Sequence, residues 1–333
     1  MSALRFSIVL PCLTDSATLA RCLESISEQE FPVDRFEVLV VDDFSDPPLA
    51  PAVEALGSDR FQSIALKCIR NSENLGRSRT RNRGIAESVG EIILFMDVDQ
   101  VVDSGFLRAM DGAFGSARLK SVRANTSVWP PLLEKSAYLR YYDSRFLGKR
   151  SPEELATINL EDLPAKYFAS GCIAVTRAAL DITGGFDGEF RHYGCEDEEL
   201  GNRLQEAGVP LSVCLEARVY NIADDLNIRR VCKRFVEYAQ QSVPILLRKH
   251  PAYARHTLMW FLELPGSQLN AKYRIVRTAM LGLFRPWLAR LLVDFLEKRD
   301  GRPGFNPPGS FYQLAIAGFY LQGYRLRNRK LAA

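Results

Sequence analysis

The chain is poor in histidine and lacks any close cysteine pair. Its three histidines, His192, His250 and His256, form no H-E-x-x-H or similar cluster, which argues against histidine-based zinc chemistry. Seven cysteines, Cys12, Cys22, Cys68, Cys172, Cys195, Cys214 and Cys232, never fall within three residues of one another. C-x-x-C zinc and redox pairs are therefore absent. An odd number of scattered thiols suits a reducing compartment and a cytoplasmic address. No G-x-S-x-G elbow and no Walker A loop occurs, against a serine hydrolase or a P-loop NTPase. No fixed-period repeat is present, which excludes solenoid and collagen-like chains. The apolar stretches fall short of the ~20 residues needed to span a bilayer. Met1 to Arg5 leads straight into a strand-like run and then Pro11, so no cleavable signal is expected.

What is there is ample apolar material. The 333 residues are 47% hydrophobic and 25% charged, enough for one large domain or two smaller ones. The net charge of +3 conceals a strong division. Residues 229–333 hold 19 Lys and Arg against 5 Asp and Glu, a net of +14, while the remainder carries −11. The acidic part suits a metal ion and the basic part a phosphate-rich surface.

Strand-like and helix-like segments alternate at first. Apolar runs cover Phe6 to Leu10, ended by Pro11, then Phe36 to Val41, Phe61 to Ile69 and Glu91 to Met96. Between them, Asp15 to Ile26 and Gly76 to Val89 have helical spacing. Continuous apolar strands alternating with helices predict a mostly parallel α/β sheet with helices on both faces. Ligands of such sheets sit outside the carboxyl ends of the strands. Residues 101–220 read as less regular, with Trp129-Pro130-Pro131 as a loop signal and Thr183 to Gly188 as a Gly-rich turn. Glu196 to Ala207 reads as a helix stopped by Gly208. The last third is helical and basic, with amphipathic stretches at Tyr273 to Leu296, broken by Pro286, and at Phe311 to Tyr324.

Several short motifs carry chemistry. Asp97-Val98-Asp99 follows a buried run, and paired carboxylates at a strand end need a partner. A divalent cation on a diphosphate would serve, as would simple solvation of a turn. Asp42-Asp43 ends another strand, fit to accept hydrogen bonds from a base or a ribose, or to cap a turn. Residues 74–84 open a helix with Gly76 and four arginines, Arg77, Arg79, Arg81 and Arg83. A helix start with glycine and guanidinium groups suits phosphate, and a solvated basic face is the alternative. The net acidic surroundings argue against nucleic acid. Glu196-Asp197-Glu198-Glu199 follows a Gly-rich loop. The macrodipole explains acids at a helix start, and one of them can also serve as a general base.

In order, these motifs resemble family 2 of the nucleotide-sugar glycosyltransferases, with the GT-A fold. The matching stretches are Ser7 to Pro11, Glu37 to Asp46, Asn74 to Gly76 with Thr80 to Gly84, Gly90 to Asp99, Gly184 to Asp187 and Gly194 to Leu204. The last resembles the acceptor motif of the chondroitin-synthase and galactosyltransferase-like branch. The resemblance implies a GT-A, Rossmann-like catalytic domain over residues 1–228 and a basic helical region over 229–333. It implies a hexosyltransferase acting by a single inverting displacement on a nucleoside-diphosphate sugar, UDP-linked by preference. Pro11, Asp42, Asp43, Gly76 and Arg81 would line the nucleotide pocket. Asp97 would hold the ribose or the metal, and Asp99 would bind Mn²⁺ or Mg²⁺. Asp197 would be the general base, with Glu196 positioning it or the acceptor.

Two departures from the family pattern stand out. Asn221 occupies the place where many relatives carry a metal-binding histidine, leaving Asp99 and the phosphates, or Asp224 or Asp225, to hold the cation. Cys12 and Leu13 replace the usual polar residues after the first strand. The rival readings are a catalytically weak binding or scaffold subunit and a nucleotidyltransferase. The acceptor is a glycan, a lipid-linked sugar or a small metabolite. The basic region is expected either to hold the chain peripherally on an anionic membrane through Leu283, Phe284, Trp287, Leu291, Arg285 and Arg290, or to pack on the acidic part.

Overall fold

The computed structural model describes residues 4–13, 16–61 and 63–332. Asp15 and Gln62, inside two of the expected segments, lie outside them. Backbone contacts divide the chain into two compact units. One comprises Met1–Trp129, Asp143–Arg191 and Glu196–Ala223, and the other Pro130–Tyr142, His192–Cys195 and Asp224–Ala333.

The first unit is built on eight strands: β1 (Phe6–Cys12), β2 (Phe36–Asp42), β3 (Ala65–Arg70), β4 (Ile92–Met96), β5 (Gln100–Val102), β6 (Ser121–Val128), β7 (Cys172–Thr176) and β8 (Leu211–Asn221). They form one mixed sheet in the order β3-β2-β1-β4-β7-β6-β8-β5. The neighbours β3, β2, β1 and β4 run parallel, as do β6 and β8. β7 is antiparallel to both β4 and β6, and β5 to β8. After β1 the chain builds β2 and β3 on one side and then β4 on the other. That reversal opens a crevice beyond the carboxyl ends of β1 and β4, the usual ligand position in such sheets.

Strand periodicity places a core on each face. Phe6, Ile8 and Leu10 of β1 join Val38, Val40, Leu94 and Met96 on one face, under Leu19, Cys22, Leu23 and Ile26 of the helix Ser16–Ser27. Val9, Leu39, Val41, Ile93 and Phe95 point to the other, against Leu200 and Leu204 of the helix Glu196–Glu206. Both faces are dry, so these strands read as unbroken apolar runs. The helix Arg77–Glu87 lies close on β1: a Cβ on Gly84 would stand 2.2 Å from Val9 Cγ1.

Three expectations need correction. Pro11 does not end the first strand. It pairs with Val41 within β1, beyond Val9, where the β4 ladder stops, and a proline is tolerated where a strand keeps one partner. Pro130-Pro131 opens the short helix Pro130–Lys135, since proline suits a first helical turn. Residues 101–220 hold β6, β7 and most of β5 and β8.

The second unit is helical. Its longer helices are Ile228–Glu237, Ala271–Leu283, Pro286–Arg299 and Gly309–Ala332. Asn227 and Asn270 cap the first two, each side chain accepting a main-chain N–H three residues on. Asp300 caps the helix Ala137–Asp143 from far along the chain, accepting from Ala137 N at 2.7 Å and Ser136 Oγ at 2.6 Å. The carboxylate of Glu263, 2% exposed, accepts from Tyr320 Oη at 2.6 Å and from Arg327. No helix among the described residues is long and apolar enough to cross a membrane.

Candidate active site

The end of β2 carries Asp42 and Asp43, and the structure gives them separate tasks. Asp42 is fully buried. It accepts from Ser45 N at 2.7 Å, Leu49 N at 3.2 Å and Arg70 Nη1 at 2.7 Å. Burial alone would raise its pKa, but these donors outweigh burial and hold it below the ordinary Asp value. Asp42 therefore braces the turn after β2. Asp43 accepts from Leu75 N at 2.8 Å, Gly76 N at 3.0 Å and Asn71 Nδ2 at 2.9 Å. It thereby fixes the loop that leads into the helix Arg77–Glu87. Gly76 adopts φ 78°, where glycine is at ease, and lines a small pocket of about 130 Å³ with Asn74, Arg79 and Arg191. Beside Asp43, Phe44 takes φ 70° and is 50% exposed, with the Arg70 guanidinium 5.0 Å from its ring centroid.

The second half of the site gathers at the end of β4. Arg81, 2% exposed, points under the sheet end from its helix. Its Nη2 donates to Asp97 at 3.0 Å and its Nη1 to Glu196 at 3.4 Å. Its guanidinium lies 5.4 Å from the Phe186 ring centroid. Asp197 follows Glu196 in the first helical turn. Burial raises both carboxyl groups, Glu196 to about 7 with Asp197 as the second cause, while Arg81 pulls both back. Glu196 Oε2 and Asp197 Oδ1 are enclosed without a hydrogen-bond partner. Three carboxylates thus share the Arg81 guanidinium, and Arg77 adds a second positive charge near Glu196.

Backbone details sharpen this corner. Asp97 N donates to Gly171 O at 2.8 Å. A Cβ on Gly171 would come 3.2 Å from Gln100 Nε2 and 3.6 Å from Asp97 Oδ2, so the backbone here passes close to both side chains. Sequence reasoning missed Asn82 and Arg203. Asn82 clamps the Phe186 backbone through both its amide atoms, at 2.6 and 2.8 Å. Arg203 donates to Glu199, to Gly185 O at 2.7 Å and to Thr183 O. Together they tie the Gly-rich turn to the acidic helix. His192 meets Glu237 at 2.8 Å within the helical unit.

Among the described residues no group of three or more His, Cys, Asp or Glu side chains is disposed to hold a metal ion. The carboxylates that the sequence offers are Asp97, which accepts from Arg81 at 3.0 Å, and Asp99. Two carboxylates fit a cation that takes its other ligands from phosphate and water. Asn221 Oδ1 accepts from Ala223 N at 3.0 Å and so serves a turn. The Asp225 carboxylate is paired with Arg230.

The comparisons with known proteins follow the same segments. Residues 7–126 match the family described as glycosyl transferase family 2, and residues 157–233 match the N-terminal domain of galactosyltransferase. Validoxylamine A glucosyltransferase of Streptomyces hygroscopicus subsp. jinggangensis is 26% identical over 273 residues, covering 74% of this chain and 61% of that protein. This chain thus spans about three fifths of that relative's length. A mannosyltransferase from Pyrobaculum calidifontis, solved with GDP-Man and Mn²⁺, superposes with a TM-score of 0.56 at 16% identity, over 95% of this chain and 87% of the other. TarS 1–349 of S. aureus, solved with UDP, gives a TM-score of 0.51 at 18% identity, over 98% and 92%. These two structures share the fold, a GT-A arrangement. Residues 7–126 thus carry a glycosyltransferase family 2 region, with a galactosyltransferase-like segment behind it.

Proposed function

We propose that this chain moves a sugar from a nucleoside-diphosphate sugar, UDP-linked by preference, to an acceptor hydroxyl with inversion at the anomeric carbon. One observation carries the reading. Arg81, Asp97, Glu196 and Asp197, from three separate segments, meet at the carboxyl end of β4 with two enclosed carboxylate oxygens left unpartnered. A structural ion cluster would use those oxygens internally. An arriving hydroxyl supplies the missing donor.

Asp43, Gly76 and the backbone at Pro11 border the nucleoside, and Arg81 keeps Asp97 and Glu196 in place. Asp97 and Asp99 are the carboxylates that would hold Mn²⁺ or Mg²⁺, which offsets charge on the departing diphosphate when bound. Asp197 takes the acceptor proton, and Glu196 orients the acceptor beside it. Burial raises the Asp197 carboxyl and makes it a stronger base than a free aspartate, while Arg81 and Ser170 pull it back. The relatives solved with UDP and with GDP-Man and Mn²⁺ support this donor class.

The test is Asp197→Asn, measured for both turnover and UDP affinity. The expected result is a kcat loss of at least ~10²-fold with UDP affinity unchanged. Near-normal turnover would take the base role from Asp197. Loss of UDP affinity in step with turnover would mean that Asp197 serves the donor pocket instead.

A further inference from the structure

The helix Pro286–Arg299 is apolar on two opposite faces. Ala289, Val293 and Leu296 are buried, at most 1% exposed. Trp287, Leu288, Leu291 and Phe295 lie on the other side, exposed by 56, 41, 57 and 39%. The four-residue steps from Trp287 to Leu291 to Phe295 place these side chains along one line of the helix. Both carboxylates of the helix are already engaged: Asp294 and Glu297 each accept from Arg229 at 2.6 Å. The free charges beside the apolar line are cationic. Arg285 precedes Trp287, and Lys298 and Arg299 close the helix, all three exposed. The Arg299 guanidinium lies 4.4 Å from the Phe295 ring centroid.

The sequence placed Phe284 on this line as well. Its ring instead lies inward, 2.7 Å from where a Cβ on Gly318 would stand. The Leu283 side chain lies outside the described residues. Leu288 and Phe295, which the sequence did not single out, complete the strip.

We propose that this face docks on the surface of an anionic lipid bilayer, with the helix lying in the plane of the headgroups. Large apolar side chains lined up in solvent mark an interaction surface rather than a solvated one. The chemistry of the flanks selects the partner. Arginine and lysine around a Trp-Leu-Phe strip match acidic headgroups above acyl chains, with tryptophan at the boundary. Fourteen residues give about 21 Å of helix, too short to span a bilayer but suited to lying on one. A second copy of the chain is disfavoured, because each brings a region of net +14. The proposal stands independently of the donor chemistry.

The experiment is flotation of the full chain with vesicles of phosphatidylcholine alone or mixed with phosphatidylglycerol. Attachment to the mixed vesicles and little to the neutral ones is expected. The double variant Trp287→Ser with Leu291→Ser should bind at least ~10-fold more weakly. Lys298→Gln with Arg299→Gln should also bind more weakly. Melting temperature and UDP affinity should be unchanged in both, since these side chains are exposed. Three results would overturn the proposal. One is no attachment at low salt. Another is salt-sensitive attachment that the Trp287/Leu291 variant retains in full, which would show binding by charge alone. The third is self-association that this variant abolishes, which would make a second copy the occupant.

Discussion

Asp42 and Asp43 are adjacent and chemically identical, yet their surroundings divide them. Asp42 spends both oxygens on Ser45, Leu49 and Arg70, deep in the unit. Asp43 holds the Leu75-Gly76 loop at the rim of a pocket. Asp42→Asn is therefore expected to cost stability, about 2–3 kcal/mol for charge-assisted hydrogen bonds, and to leave UDP affinity of the folded protein unchanged. The pH dependence has a definite sign. The folded-state pKa of Asp42 lies below the unfolded value near 3.8, so its contribution is full above that value and fades as pH falls through the folded one. Urea unfolding at pH 7 and at pH 3 checks this: the gap between wild type and variant should shrink at pH 3. A variant that is stable but fails to bind UDP would place Asp42 in the nucleotide pocket.

Elements differ in how plainly the sequence announces them. β1, β2 and β4 are legible because both faces of each are buried, which demands unbroken apolar runs. β6 hides behind Arg123, Asn125 and Thr126. Arg123 donates to Tyr167 O at 3.0 Å and Asn125 to Leu215 O at 2.9 Å, so polar residues sit in a strand with their donors satisfied. No local pattern reveals such distant partners. The candidate site divides in the same way. Arg81, Asp97, Glu196 and Asp197 stand out as motifs, but the Asn82 clamp on Phe186 joins residues 104 apart in the chain. Gly84 gives an element-scale prediction. Gly84→Ala would drive a methyl to 2.2 Å from Val9 Cγ1, forcing the helix Arg77–Glu87 off β1 and moving Arg81 with it. We expect ~1–3 kcal/mol of destabilisation from overpacking. Adding Val9→Ala should recover part of it. Thermal unfolding of the single and double variants decides: equal stability of Gly84→Ala and wild type would mean that the helix yields freely.

At the scale of the molecule, charge is partitioned by segment: −11 before Arg229 and +14 from there on. Within the acidic segment, one buried arginine faces three carboxylates, and among the described residues no three metal-binding side chains form a cage. On the proposed function, the cation takes its remaining ligands from the donor. Diphosphate carries them, so donor and cation should bind as a pair, each raising the affinity for the other by the same factor. We predict that Mn²⁺ alone barely shifts the melting temperature and that UDP alone shifts it modestly. Together they should exceed the sum of the two. At a ligand level about 100 times Kd the stabilisation is ~2.7 kcal/mol. For a protein of this size that is about 5 °C. Asp99→Ala should remove the excess while leaving the shift with UDP alone. A large shift with Mn²⁺ alone, retained in Asp99→Ala, would instead reveal a resident cation site elsewhere and separate the metal from the donor pocket.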